Sequence, residues 1–387
     1  DLGRLSASEA TMREAIAGYS QIYGSDHQQV GSSLQNLALV LTERGKYDEA
    51  ITSYRRALEI LDAKLGPTHV TTLVTRGNLG RLYTERGNTA AALPLLRSVL
   101  EEKQKKLGDT HPTVATSRQN LGALLLDMQK YDESSSLLSQ AKDVFRTEES
   151  NRLGDAALCQ SYLGIASAEQ KKLADSLDQF GQAIAFANDA AWRELPHLST
   201  NDQRHYLIAK YNFPFFASLS LGFAFPEQQS VIDATAEWSA NGKGIAAEAL
   251  FAARQSPTAQ ELPWVELSEI RSALPEDAVW IDITRQDFVD FDGRNYEQRL
   301  QDPQYVAWIV PKQGHVARVE LGDAAQIDRM VKSARQVIGD AAEKTLIELG
   351  EITATELANK TLAAVAERVW KPLQQVIPAG SQALWLS

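Results

Sequence analysis

Large and small apolar residues in the first half of the chain recur on a spacing of 42 residues that runs without a gap. Leu37, Leu79, Leu121 and Leu163 fall on it, as do Ala38, Gly80, Gly122 and Gly164. Tyr47, Thr89, Tyr131 and Leu173 follow the same spacing, and so do Ala50, Ala92, Ser134 and Ser176. Within one period, Leu34, Leu37 and Leu41 stand at i, i+3 and i+7 and mark one apolar helical face. Gly45 then stops that helix, and Tyr47, Ala50, Tyr54, Ala57, Leu58 and Leu61 mark a second one. One period is therefore one helical hairpin, which cannot bury both faces alone and must stack on its neighbours. The small residues at Ala38, Gly80, Gly122 and Gly164 let the paired helices approach closely. On the same frame Gly3, Leu5, Ala15 and the run from Tyr23 to His27 form the second helix of a preceding period, so the chain is expected to begin inside a repeat.

After Trp192 the period is lost. Leu195-Pro196 followed by Ser199-Thr200-Asn201-Asp202 reads as a break and a capping signal, with helices expected over 201–222 and 228–254. Gly242-Lys243-Gly244 lacks the surrounding residues of a phosphate loop and lies in a helical stretch. From Pro275 the texture is that of strands: residues 278–284, 305–310 and 315–321, with a turn at Pro311 to Gly314 and a polar loop between Thr284 and Tyr305 carrying Asp287, Asp290, Asp292, Gly293 and Arg294. Ile327, Met330, Val331, Ala334, Val337 and Ile338 mark an amphipathic helix, and Leu357, Thr361, Val365 and Val369 mark another over 354–370. Gln382 to Ser387 opens a further strand, whose apolar Ala383 to Leu386 needs neighbours on both sides, so residues beyond Ser387 are expected. The organisation expected is a repeat array over 1–191, a helical connector over 192–274 and an α/β portion over 275–387, an α plus α/β fold class.

Length and charge narrow the function. The 387 residues allow two or three domains, and 39 basic against 50 acidic residues give a net charge of −11, which disfavours a general grip on a nucleic-acid backbone. The longest uncharged stretch, Asn212 to Pro226, is interrupted by Pro214 and is shorter than the roughly 20 residues of a spanning helix, so no membrane span is read. The single cysteine, Cys159, excludes an internal disulfide and a cysteine-rich zinc site and fits a reducing, cytoplasmic compartment. His27, His69 and His111 lie one per period, roughly an interhelix distance of 10 Å apart. One metal ion needs ligands at about 2 Å. They are read instead as residues of the inter-repeat turn that help start the next helix, and neither a metal nor a cofactor is expected.

The runs Gly45-Lys46-Tyr47-Asp48-Glu49-Ala50 and Leu65-Gly66-Pro67-Thr68-His69, with the echo Leu107-Gly108-Asp109-Thr110-His111-Pro112, resemble the long tetratricopeptide repeat of kinesin-light-chain type. In such proteins the other face of each first helix lines a concave groove. Here that face carries Ser32, Asn36, Leu39 and Glu43, then Val74, Asn78, Arg81 and Glu85, then Thr116, Asn120, Ala123 and Asp127. The ladder Asn36, Asn78 and Asn120 is similar to the asparagines that clamp a ligand's backbone in peptide-binding repeats, and an amide supplies both donor and acceptor for an extended peptide. The acidic column Glu43, Glu85, Asp127 and Glu169 would favour a basic segment. In the fourth period Tyr162 replaces the asparagine, which suggests a terminal or interface repeat.

A second resemblance covers the rest. Asn241 to Ile245, Leu274 to Ile283, Tyr305 to Trp308, Glu320 to Ala324 and Trp370 to Leu373 look like the opening segments of a CHAT domain, the caspase- and separase-like cysteine peptidase family that often follows tetratricopeptide repeats in bacteria. The resemblance implies that the catalytic cysteine and histidine lie downstream of Ser387. Within this chain no plausible dyad is read. Cys159 takes the place of Ser33, Thr75 and Ser117 in the other periods and is read as structural, and His315 has no cysteine near it in sequence. Two expectations follow. The chain is the interaction and scaffold portion of a caspase-like endopeptidase, its repeats binding a regulator or substrate and its α/β part meeting the remainder of its own domain. Alternatively, it is a non-enzymatic tetratricopeptide adaptor with a degenerate α/β appendage.

Overall fold

The computed structural model describes residues 2–147, 150–199, 202–203, 206–242, 264–293, 296–338 and 351–387. Two compact units emerge, residues 1–152 with 293–298, and residues 153–292 with 299–387.

The first unit is built of paired helices: α1 (Leu2–Tyr23), α2 (Gln28–Glu43), α3 (Tyr47–Leu65), α4 (Val70–Glu85), α5 (Thr89–Leu107), α6 (Pro112–Asp127) and α7 (Tyr131–Phe145). Helices α2 and α3, α4 and α5, and α6 and α7 form hairpins, each packed on the next. Leu37, Leu79 and Leu121 are each 3% exposed at the centre of the shared core. The close approach expected at the small positions is seen directly. A Cβ on Gly80 would lie 2.7 Å from Leu96 Cδ2, and one on Gly122 would lie 2.8 Å from Leu138 Cγ.

The turns repeat as faithfully as the core. Inside the hairpins the residue that ends each first helix is left-handed, at Gly45 (φ 72°), Gly87 (φ 71°) and Gln129 (φ 59°). The next residue's N–H then reaches back five residues: Lys46 to Leu41 O at 2.8 Å, Asn88 to Tyr83 O at 2.8 Å and Lys130 to Leu125 O at 2.9 Å. These are the helix-stop hydrogen bonds that satisfy otherwise orphaned carbonyls. Between hairpins Gly24, Gly66 and Gly108 are also left-handed. Three residues on, His27, His69 and His111 cap the following helix, their Nδ1 accepting the N–H of Gln29, Thr71 and Thr113 at 3.3, 3.2 and 3.1 Å. An imidazole nitrogen replaces the usual hydroxyl or carboxylate cap, and Pro112 occupies a first-turn position where its missing N–H is harmless.

The second unit begins with the fourth hairpin, α8 (Leu153–Glu169) and α9 (Leu173–Glu194), whose turn repeats the pattern with Lys171 at φ 59°. Gly164 lies so close to Phe180 that a Cβ would stand 2.9 Å from the ring. Next come a π-turn at Leu207–Tyr211, α10 (Asn212–Ala224), α11 (Gln229–Gly242) and α12 (Leu267–Ala273), with α10 packed on both α8 and α9. Of the helix expected over 228–254, residues 243–254 lie outside the described residues, and so do Lys243, Gly244, His205 and Arg294. Gly242 has a packing reason, since a Cβ there would lie 2.0 Å from Phe215 Cε2.

A four-stranded mixed sheet follows, in the order β3-β2-β1-β4: β1 (Ala278–Val289), β2 (Leu300–Pro311), β3 (Ala317–Asp323) and β4 (Ala383–Leu386). The pairs β1/β2 and β2/β3 are antiparallel, and β1/β4 is parallel. One face buries Ile281, Ile309 and Leu321 with Ile327 of α13 (Ala324–Ile338). The other face meets α10 and α11 and is polar at three successive alternate positions of β1. There Asp282, Thr284 and Gln286 are all buried, the Ser239 hydroxyl donates to Asp282, and Trp308 Nε1 donates to Thr235 at 3.1 Å. The polar loop expected between Thr284 and Tyr305 is shorter than read, because both strands continue into it. A register shift between Gln286 and Phe288 lets the chain carry a polar residue through the pleat while Val289 stays buried. The helix expected over 354–370 starts earlier, as α14 (Glu351–Val365), and passes into a π-turn at Ala366–Trp370.

Candidate functional site

The exposed face of the first helices carries the asparagines. Asn36 on α2 is exposed, while Asn78 on α4 and Asn120 on α6 are half-buried. All three side chains lack a hydrogen-bond partner among the described residues. Amide groups at equivalent positions that satisfy nothing within the fold are ready for an outside partner. Beside them Leu39 and Val74 are 39% and 36% exposed, an apolar element of the same face.

The acidic column is less open than the sequence implied. Glu43 is exposed. Glu85 is bonded to Arg81 one turn before it, both partly exposed, so its charge is locally compensated. Asp127 is half-buried. Glu169 is withdrawn from the column altogether. It belongs to the second unit, its side chain is 3% exposed, and it accepts a hydrogen bond from Arg299 Nη2 at 2.9 Å. Arg299, itself 2% exposed, also donates to the Phe291 carbonyl at 2.9 Å. A buried carboxylate needs such a partner, and its partner lies 130 residues away in sequence, on a segment no repeat frame could have pointed to.

The residues weighed for peptide hydrolysis stand apart. Cys159 is fully buried within α8, and His315 is exposed on the turn between β2 and β3. The buried Ser239, Asp282 and Thr284 cluster, with Ser239 Oγ 2.8 Å from Thr284 Oγ1, has no imidazole bonded to it among the described residues. It reads as polar packing, and its sequence signal was the alternation of Asp282, Thr284 and Gln286 along one strand.

Repeated helical hairpins closed by left-handed residues, three of them carrying an asparagine on the first helix, define a helical repeat protein. The tetratricopeptide repeat model matches residues 1–63 and 32–105. The N-terminal part of this chain thus carries tetratricopeptide repeats, a protein-interaction scaffold. A kinesin light chain repeat structure from Podosopora anserina is 22% identical, with 48% of this chain and 87% of that chain covered and a TM-score of 0.41. BtubC (BKLC) from P. vanneervenii is 15% identical, with 67% of this chain and 94% of that chain covered and a TM-score of 0.43. No curated protein matches the chain. No helix among the described residues is long and apolar enough to cross a membrane.

Proposed function

We propose that the repeat array docks an extended protein segment along Asn36, Asn78 and Asn120. The observation that carries this reading is the three amides at equivalent positions without a hydrogen-bond partner among the described residues. An amide row pairs with a peptide main chain whatever its side chains, while Leu39 and Val74 offer contact to apolar ones. A preference for basic residues rests on Glu43 first, with Glu85 and Asp127 contributing less and Glu169 nothing. The experiment is selection of binders from a random dodecapeptide library, followed by titration against the Asn36→Ala/Asn78→Ala/Asn120→Ala variant. Each lost amide contact costs about 1 kcal/mol, so the triple variant loses binding by about a hundredfold. A control altered at exposed Thr52 and Glu59 of α3 keeps its affinity. Loss in the control with retention in the triple variant sinks the reading.

A second reading concerns the α/β part. Its motifs look like the opening of a CHAT domain, and they lie on or beside a four-stranded mixed sheet. On this reading the repeats recruit a regulator or substrate for a bacterial, cytoplasmic caspase-like cysteine peptidase. The rival is an adaptor without catalysis. Thiol-dependent cleavage by the protein as expressed in its native cell, insensitive to Cys159→Ala, separates the two; its absence leaves the adaptor.

A further inference from the structure

Where β1 ends, the second unit forms a half-open pocket of about 380 Å³, within the range of ordinary ligand sites. Its walls come from the ends of α8 and α10 and from the last turn of chain after β1. Four of the chain's eleven phenylalanines line it: Phe223, Phe225, Phe288 and Phe291. The rings are held by packing, Phe223 and Phe288 tilted with centroids 4.5 Å apart and Phe291 backed by Phe180 at 5.6 Å. Glu169, Lys171, Asp290 and Asp292 supply the charged part of the wall.

Phenyl faces are electron-rich and attract cations. The cations already buried nearby are each matched by a carboxylate, Arg299 by Glu169 and Arg318 by Glu320 at 2.8 Å. Among the described lining residues that leaves two aspartates against Lys171, a residual negative charge. One of its rings already shows which cation it accepts, because the Arg318 guanidinium carbon lies 4.1 Å from the Phe223 centroid. A planar guanidinium can lie flat on a ring while its edge N–H groups reach carboxylates on either side, which a compact ammonium cannot do.

We propose that this pocket receives an arginine side chain of a protein partner, its guanidinium packed among Phe223, Phe225 and Phe288 and hydrogen-bonded to Asp290 and Asp292. The site is built wholly from the second unit and does not depend on the asparagine row. It is tested by calorimetric titration of the full chain with N-acetyl-Gly-Arg-Gly-amide, with the same peptide carrying citrulline, and with agmatine. Citrulline keeps the planar shape and removes the charge. The arginine peptide is expected to bind at least about tenfold more tightly than the citrulline peptide, to weaken as salt rises, and to lose several-fold in affinity on Asp290→Asn or Phe225→Leu. Equal binding of the two peptides, or binding of neither, overturns the proposal. So does binding of agmatine with rejection of the arginine peptide, which would make this a small-molecule site. The peptide comparison uses the unaltered chain and stays decisive even where a variant fails to fold, as checked by circular dichroism.

Discussion

Gln129 occupies a position that the first two hairpins give to glycine and the fourth to Lys171, and replacing it with glycine should make the protein more stable. At φ 59° it is the counterpart of Gly45 and Gly87, at φ 72° and 71°. The left-handed region costs a residue with a Cβ roughly 1–2 kcal/mol. Glycine avoids this cost but loses more backbone entropy on folding, about 0.5–1 kcal/mol. Among the described residues, the side-chain hydrogen bond surrendered is an exposed one of 3.3 Å from Gln129 to the Tyr131 hydroxyl. Gln129→Gly should therefore gain about 0.5–1 kcal/mol net. The reverse change supplies the control. A Cβ on Gly45 would meet no atom within 4 Å, so Gly45→Gln isolates the backbone cost and should lose about as much as the first change gains. Urea unfolding followed by circular dichroism reads both. Hydrogen exchange at the Lys130 amide, bonded to Leu125 O, reads the turn itself and should slow by about two- to fivefold in Gln129→Gly. Loss of stability in Gln129→Gly, or no loss in Gly45→Gln, would show that backbone strain is not what these turns are avoiding.

Glu169→Ala should remove a buried carboxylate partner of Arg299 and cost about 3–5 kcal/mol; a change under about 0.5 kcal/mol, the usual effect of an exposed site, would return Glu169 to the open column. His69→Ala should cost about 1 kcal/mol by denaturant unfolding, with His69→Asn restoring most of it, because asparagine also caps. Glu9, set among Arg13, Lys46 and Arg44, feels burial that raises its pKa, but those hydrogen bonds and charges outweigh it and lower it to about 2. The stability this provides is fully present above the ordinary carboxylate range and is lost as pH falls through about 2. Glu9→Gln should thus be less stable than the parent at pH 7, by a margin that shrinks below about pH 4.5 and vanishes near pH 2; a constant margin across that range would refute the assignment.

The hairpins were legible because their signal is local and repeated. Leu37, Leu79 and Leu121 mark the buried stripe, and glycines at 80 and 122 mark the contact, each within one period. The asparagine row was legible for the same reason, since a helix face follows from spacing alone. The histidines could be placed at the turn, but only coordinates show Nδ1 as the cap acceptor. What stayed hidden depends on partners far along the chain. Nothing near Glu169 announces Arg299, and nothing near Phe288 announces Phe223. The strand extension through Gln286 was hidden because a buried, polar residue imitates a loop. Gln129 concealed its left-handed turn by breaking the glycine rule that Gly45 and Gly87 obey.

The repeated stops and starts in the first unit also bear on how such a chain can change length. Each hairpin is closed by its own left-handed residue, and each junction is opened by its own imidazole, so the instructions for one period are written inside that period. Energies in arrays of this kind are sums over units and their nearest neighbours. Duplicating or deleting a whole 42-residue segment therefore leaves every surviving junction chemically unchanged, whereas an insertion of any other length displaces a leucine from its stripe or a glycine from its contact. Recombination that respects the period lengthens or shortens the amide row one asparagine at a time.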